Sequence, residues 1–83
     1  MNEIKKGRAR ILIIDDEPEV RSVLCDLLGA SYECAGACSA REALALLRAE
    51  EHFDLVISDI MMKGMSGLEM VPHVRELAPE TLI

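Results

Sequence analysis

Asp15, Asp16 and Asp59 are the residues of this 83-residue chain best placed to do chemistry. Each follows an apolar run: Ile11-Leu12-Ile13-Ile14 leads into Asp15-Asp16, and Leu55-Val56-Ile57-Ser58 leads into Asp59. In an open parallel sheet, ligands bind beyond the carboxyl ends of the strands, where the strand order switches. If the two runs are neighbouring strands, at least two carboxylates meet at one rim. Two such charges about 4 Å apart repel by roughly 4 kcal/mol at an effective dielectric of 20, so the cluster calls for a cation. Hard carboxylate oxygens with no sulfur or imidazole nearby suit Mg²⁺, which takes one or two carboxylates together with waters and a phosphate. An aspartate beside such an ion can attack a phosphoryl donor and form an acyl phosphate. Asp59 stands alone at its strand end before a flexible loop and is the candidate nucleophile; Asp15 and Asp16 are the candidate metal holders. The plainer alternative for each acid is a turn or N-cap residue, and it has most weight at Asp16 and Glu17, where a helix starts.

The elements that must position these acids follow from periodicity. Arg10–Ile14 is a continuous β-branched and aliphatic run, too short for a helix and without polar alternation, the pattern of a strand buried on both faces. Pro18 suits the first position of a helix, and Val20, Val23, Leu24, Leu27 and Leu28 give that helix a single apolar face. Gly29 is expected at the C′ position. Residues 32–37 read as a weaker strand, interrupted by Gly36. Ser39 and Glu42 have capping-box spacing ahead of a helix with Ala40, Ala43, Leu44 and Leu47 on one face, closed by Glu50-Glu51-His52. Asp54–Ser58 is another buried-strand signal. Ile60 to Gly67 is a loop, and Ser66 with Glu69 forms a second capping box for a helix through about Leu77, with Pro72 expected to kink it slightly. Thr81-Leu82-Ile83 reads as the start of a further strand. Alternating strands and helices imply right-handed crossovers and a parallel sheet covered on both faces.

Composition excludes several functions. The hydrophobic fraction of 51% is too high for a disordered segment, and no apolar run approaches the roughly 18 residues of a membrane span. The N-terminus lacks the apolar stretch of a secretory signal, so the expected setting is the cytoplasm. Lys5, Lys6, Arg8 and Arg10 make residues 1–9 and their border a basic arm, expected to be a solvated terminus. Beyond it, five basic residues face fourteen acidic ones, which leaves no footprint for direct nucleic-acid binding. Cys25, Cys34 and Cys38 are odd in number and form no C-x-x-C pair, so reduced, mostly buried thiols are expected rather than a zinc site. His52 and His73 are isolated and expected at the surface.

Three linked motifs together, Ile11-Leu12-Ile13-Ile14-Asp15-Asp16-Glu17-Pro18, Asp54 through Met62, and Gly64-Met65-Ser66-Gly67-Leu68-Glu69, closely resemble receiver domains of two-component response regulators. The resemblance implies a partial flavodoxin-like, doubly wound α/β sheet over residues 10–83, with three strands, three helices and the start of a fourth strand, in the family's order 2-1-3-4-5. It implies that Asp59 accepts a phosphoryl group from a sensor histidine kinase or phosphotransfer protein. It also implies that Mg²⁺ is held by Asp16 and Asp59, by Asp15 mainly through water, and by the backbone carbonyl of Met61. Met61 and Met62 lie where the family tunes the access of water to the acyl phosphate, and the apolar Met61 points to a long-lived phosphoryl group.

The sequence departs from the family in two respects. Lys63 stands where the family usually has Pro, which should loosen the turn and bring a positive charge near the site. The family's later Ser or Thr and Lys, which contact the phosphoryl group, belong to strands beyond Ile83, so the expectation is a truncated receiver. With the third strand as an open edge, that receiver is expected to be a homo-oligomer or a swapped dimer if folded as 83 residues. Two other readings compete. An aspartyl-phosphate phosphohydrolase needs Asp-x-Asp, not the adjacent Asp15-Asp16, so a non-enzymatic signalling module is preferred. A phosphorylation-incompetent fragment acting as a dimerisation or docking module predicts no Mg²⁺-dependent labelling by acetyl phosphate.

Overall fold

The apolar runs become three parallel strands in a computed structural model that describes residues 8–49 and 52–83. These are β1 (Arg10–Ile14), β2 (Glu33–Ala37) and β3 (Leu55–Ser58), alternating with α1 (Pro18–Leu28), α2 (Ala40–Arg48) and α3 (Gly67–Leu77). The sheet order is β2-β1-β3, with Ile14 opposite both Ala37 and Ser58. The most apolar strand is thus central, and the chain reverses direction across the sheet at β1. Most of the basic arm, and the Glu50-Glu51 closure of the second helix, lie outside the described residues.

Alternation along β1 divides the core. Leu12 and Ile14 join Ala37, Ala40, Ala43, Leu44, Leu47, Phe53, Val56, Met62, Met70 and Val74 in one cluster beneath α2 and α3. Ile11 and Ile13 are also buried, on the opposite face, where α1 lies. The expectation that both faces are covered holds only in part. None of α1's side chains is fully buried among the described residues, and Val23 and Leu27 are 56% and 70% exposed.

The helix starts differ in quality. Ser66 caps α3 with a full reciprocal box: its hydroxyl accepts from the Glu69 amide at 3.1 Å, and the Glu69 carboxylate accepts from the Ser66 amide at 2.9 Å. Those Ser66 contacts hold the Glu69 carboxyl below its ordinary pKa. At α2 the box is displaced. Ser39 accepts from the Glu42 amide, but the Glu42 carboxylate takes the amide of Cys38, one residue before the expected partner. Glu17 occupies the N-cap of α1 without a side-chain bond, leaving that start to Pro18. Gly29 remains right-handed at φ −64°, so the expected left-handed C′ turn does not form. α3 runs without interruption through Pro72.

The start of the further strand is present. Leu82 bridges Leu55 in parallel: the Val56 amide donates to the Leu82 carbonyl at 2.7 Å, and the Leu82 amide to the Asp54 carbonyl at 3.0 Å. The Thr81 hydroxyl donates to the Phe53 carbonyl at 2.7 Å and fixes that segment to the base of β3. The edge of β3 is therefore partly occupied rather than open.

Candidate functional site

The ladder bonds that end the strands bring the acids together. The Asp15 amide donates to the Ala37 carbonyl at 3.1 Å, and the Asp59 amide to the Ile14 carbonyl at 3.0 Å. Asp59 is thereby tied to the residue immediately before Asp15, one step beyond the Ile14–Ser58 pair. Asp15, Asp16 and Asp59 are all half-buried, and each offers a carboxylate oxygen within 4.8 Å of the other two. All three predicted acids thus converge at the carboxyl rim, at the reversal of strand order.

Asp15 and Asp59 are oriented in the same way. Asp15 Oδ1 accepts the Glu17 amide at 2.9 Å, and Asp59 Oδ1 accepts the Met61 amide at 3.2 Å. Each aspartate bonds the amide two residues on, the geometry of an Asx turn. The turn reading of these acids is therefore correct for Asp15 and Asp59, but it does not replace the cluster. One oxygen of each carboxylate holds the loop, and the bond fixes the direction of the whole group. The N-cap alternative for Asp16 is not what forms, since the cap position belongs to Glu17.

The donor set fits a small hard cation. Octahedral Mg²⁺ at 2.0–2.1 Å from its ligands needs oxygens about 3 Å apart at neighbouring corners and about 4 Å apart across the ion. Carboxylate oxygens within 4.8 Å reach that spacing with small side-chain adjustments. All three are oxygen donors, as Mg²⁺ prefers.

The loop after Asp59 is held close by two glycines. Gly64 adopts φ 80°, a left-handed conformation costly for residues with a Cβ. At Gly67 an added Cβ would collide with the Asp59 carbonyl oxygen, so only glycine lets α3 begin against the backbone of the candidate nucleophile. The Gly67 amide donates to the Ile60 carbonyl at 3.0 Å, and the Ser58 hydroxyl to the Asp59 carbonyl at 2.9 Å. Met61 and Met62 diverge: Met61 is 81% exposed at the rim, whereas Met62 is buried in the core and anchors the loop. Lys63 lines a cleft of about 450 Å³ with Ser39, Ala40, Arg41, Gly64 and Met65.

Sequence reasoning did not single out Arg21. Its Nη1 donates to the Asp15 carbonyl at 2.7 Å, and its aliphatic stem lies on Gly36. No local motif announces this contact, because it depends on how α1 lies across β2. A second polar cluster, at the opposite end of the sheet, was also missed. Arg10 Nη1 donates to the His52 carbonyl at 3.0 Å, its Nε lies 3.3 Å from Glu33, and its guanidinium sits 4.7 Å from the centre of the Phe53 ring. The Arg10 amide donates to Asp54 at 2.8 Å, and His52 lies 3.1 Å from the same carboxylate. These contacts, that of the Arg10 amide foremost, hold Asp54 below its ordinary pKa. His52 is thus a surface residue, as expected, although not an isolated one.

Comparison with known proteins agrees with this geometry. The family model described as "Response regulator receiver domain" matches residues 11–83. Response regulator protein PilR of Pseudomonas aeruginosa is 37% identical over 76 residues, which is 90% of this chain and 17% of PilR. The chain therefore spans a small part of that relative's length. The structure of chemotaxis protein CheY4 of Vibrio cholerae matches with a TM-score of 0.81 and 36% identity, covering 89% of this chain and 62% of that one. Response regulator protein TrrA of Thermotoga maritima, solved in complex with Mg²⁺-BeF, matches with a TM-score of 0.77 and 39% identity, covering 88% of this chain and 64% of that one.

Proposed function

Since this chain belongs to the response regulator receiver domains, the phosphoacceptor modules of two-component systems, we propose that Asp59 is its phosphorylated residue. The convergence of Asp15, Asp16 and Asp59 at one rim carries this reading. A phosphohistidine on a sensor histidine kinase or phosphotransfer protein is the donor. A carboxylate oxygen of Asp59 attacks phosphorus, the phosphorus–nitrogen bond breaks, and the imidazole leaves. Asp59 suits this role because its main chain is fixed by Ile14 and its carboxylate by the Met61 amide. Asp16 and Asp59, with Asp15 acting mainly through water and with the Met61 carbonyl, would hold Mg²⁺. When bound, the ion offsets the charge on the transferring phosphoryl oxygens.

The module spans residues 10–83, follows the basic arm of residues 1–9, and works as a signalling element rather than an enzyme, in the cytoplasm. No helix among the described residues is long and apolar enough to cross a membrane. The acidic body speaks against direct nucleic-acid binding. The exposed stripe of α1 supports self-association into a homo-oligomer.

Acetyl phosphate labelling with and without Mg²⁺, read by intact mass, tests the phosphoacceptor assignment. A phosphate-sized adduct is expected on the native chain with Mg²⁺, and none on Asp59→Asn. An adduct of equal yield on both chains would remove Asp59 from the role.

A further inference from the structure

Two thiols that phosphoryl transfer leaves unused face each other between α1 and β2. The contact of Arg21 with Gly36 sets the register, since a Cβ added at Gly36 would stand 3.4 Å from Arg21 Cδ. β1 and β2 are parallel, so the connecting helix runs antiparallel to both. One further turn along α1 advances about 6 Å to Cys25, and two residues back along β2 covers about 6.6 Å to Cys34. The two cysteines therefore fall opposite one another across the α1–β2 contact, and Cys34 is among the groups that raise the pKa of Cys25. Both are half-buried, while Cys38 is exposed, contrary to the expectation of mostly buried thiols. Three residues of β2 already put Ala37 about 10 Å from Cys34, beyond the roughly 7 Å that a disulfide tolerates between Cα atoms, and Cys38 follows as the chain leaves the strand.

We propose that Cys25 and Cys34 are an oxidisable dithiol that closes to an intramolecular disulfide, stapling α1 to β2. The oxidant is a peroxide. One cysteine loses its proton and, as thiolate, attacks a peroxide oxygen; the oxygen–oxygen bond breaks, leaving a sulfenic acid and a hydroxide that takes up the released proton as water. The second sulfur then attacks the sulfenic sulfur and expels its oxygen as water, so two thiols and one hydrogen peroxide give one disulfide and two waters. Burial first, and then Cys34, hold the Cys25 thiol above its ordinary pKa, so closure accelerates as the pH rises above neutral. The bridge gives the helix that lacks a buried side chain a covalent restraint.

Treatment of the folded chain with hydrogen peroxide, followed by alkylation and peptide mapping, tests this. The expected product is a Cys25–Cys34 linked peptide with an intact mass lower by about 2 Da and with Cys38 still alkylated. Cys38→Ser should leave that product unchanged, and Cys25→Ser should abolish it. A Cys34–Cys38 link, which proximity in sequence alone would favour, or a disulfide dimer through Cys25 or Cys34, would overturn the proposal.

Discussion

On one face of the sheet, Leu12, Ile14, Ala37 and Val56 lie beneath two helices that contribute Leu44, Leu47, Met70 and Val74 to a continuous core. On the other, Ile11 and Ile13 are buried near a single helix that leaves Val20, Val23 and Leu27 in solvent. A fully buried aliphatic side chain contributes about 1.5–3 kcal/mol, so the first face carries most of the stability. The second face holds unrealised hydrophobic free energy. The acids at the rim belong to strands shared by both faces, so the well-packed side can hold the site in place without the other.

Truncation on the packed face should have the largest effect. Phe53 is buried against the core and beneath the Arg10 guanidinium, so Phe53→Ala is expected to cost about 3–5 kcal/mol, measured by urea denaturation. A loss below about 1 kcal/mol would mean that this face is not the main source of stability. Next come the helix starts. Ser66→Ala removes the cap of α3 and should cost about 1 kcal/mol, whereas Glu17→Ala removes no side-chain cap at α1 and should cost much less.

A smaller effect depends on pH. Asp54 has a folded pKa lowered mainly by the Arg10 amide, so the unfolded chain binds its proton more readily. The resulting stability is present above the unfolded pKa and is lost as the pH falls through the folded one. Asp54→Asn should therefore flatten the acid limb of the stability profile while leaving labelling at Asp59 intact. The group is largely exposed, so the effect is modest. The smallest change in folding is expected on the open face, where Leu27→Ser should shift stability by no more than about 0.5 kcal/mol. The same substitution should weaken self-association in sedimentation velocity. A large loss of stability there would show that α1 is covered after all, and would dissolve the contrast.

The acids and the strands that end in them were legible because short aliphatic runs and turn-forming aspartates are local signals. The capping box at Ser66 was legible for the same reason. The displaced bond of Glu42 to Cys38 was not, because the spacing of a box does not determine which amide its carboxylate reaches. Neither was the exposure of Val23 and Leu27. Their spacing marks an apolar stripe, but periodicity does not say what lies against it. The Arg21 clamp on Asp15 and the Arg10–Asp54 cluster join residues brought together only by packing, and no local pattern encodes them.

The candidate nucleophile is located by a main-chain bond from its own amide to the Ile14 carbonyl, and Asp15 by one to the Ala37 carbonyl. Neither bond depends on which aliphatic side chain decorates the strand. Substitutions among Ile, Leu and Val can accumulate in these strands over long divergence while the carboxylates keep their station. Chains that agree with this one at little more than a third of aligned positions can thus superimpose on it closely.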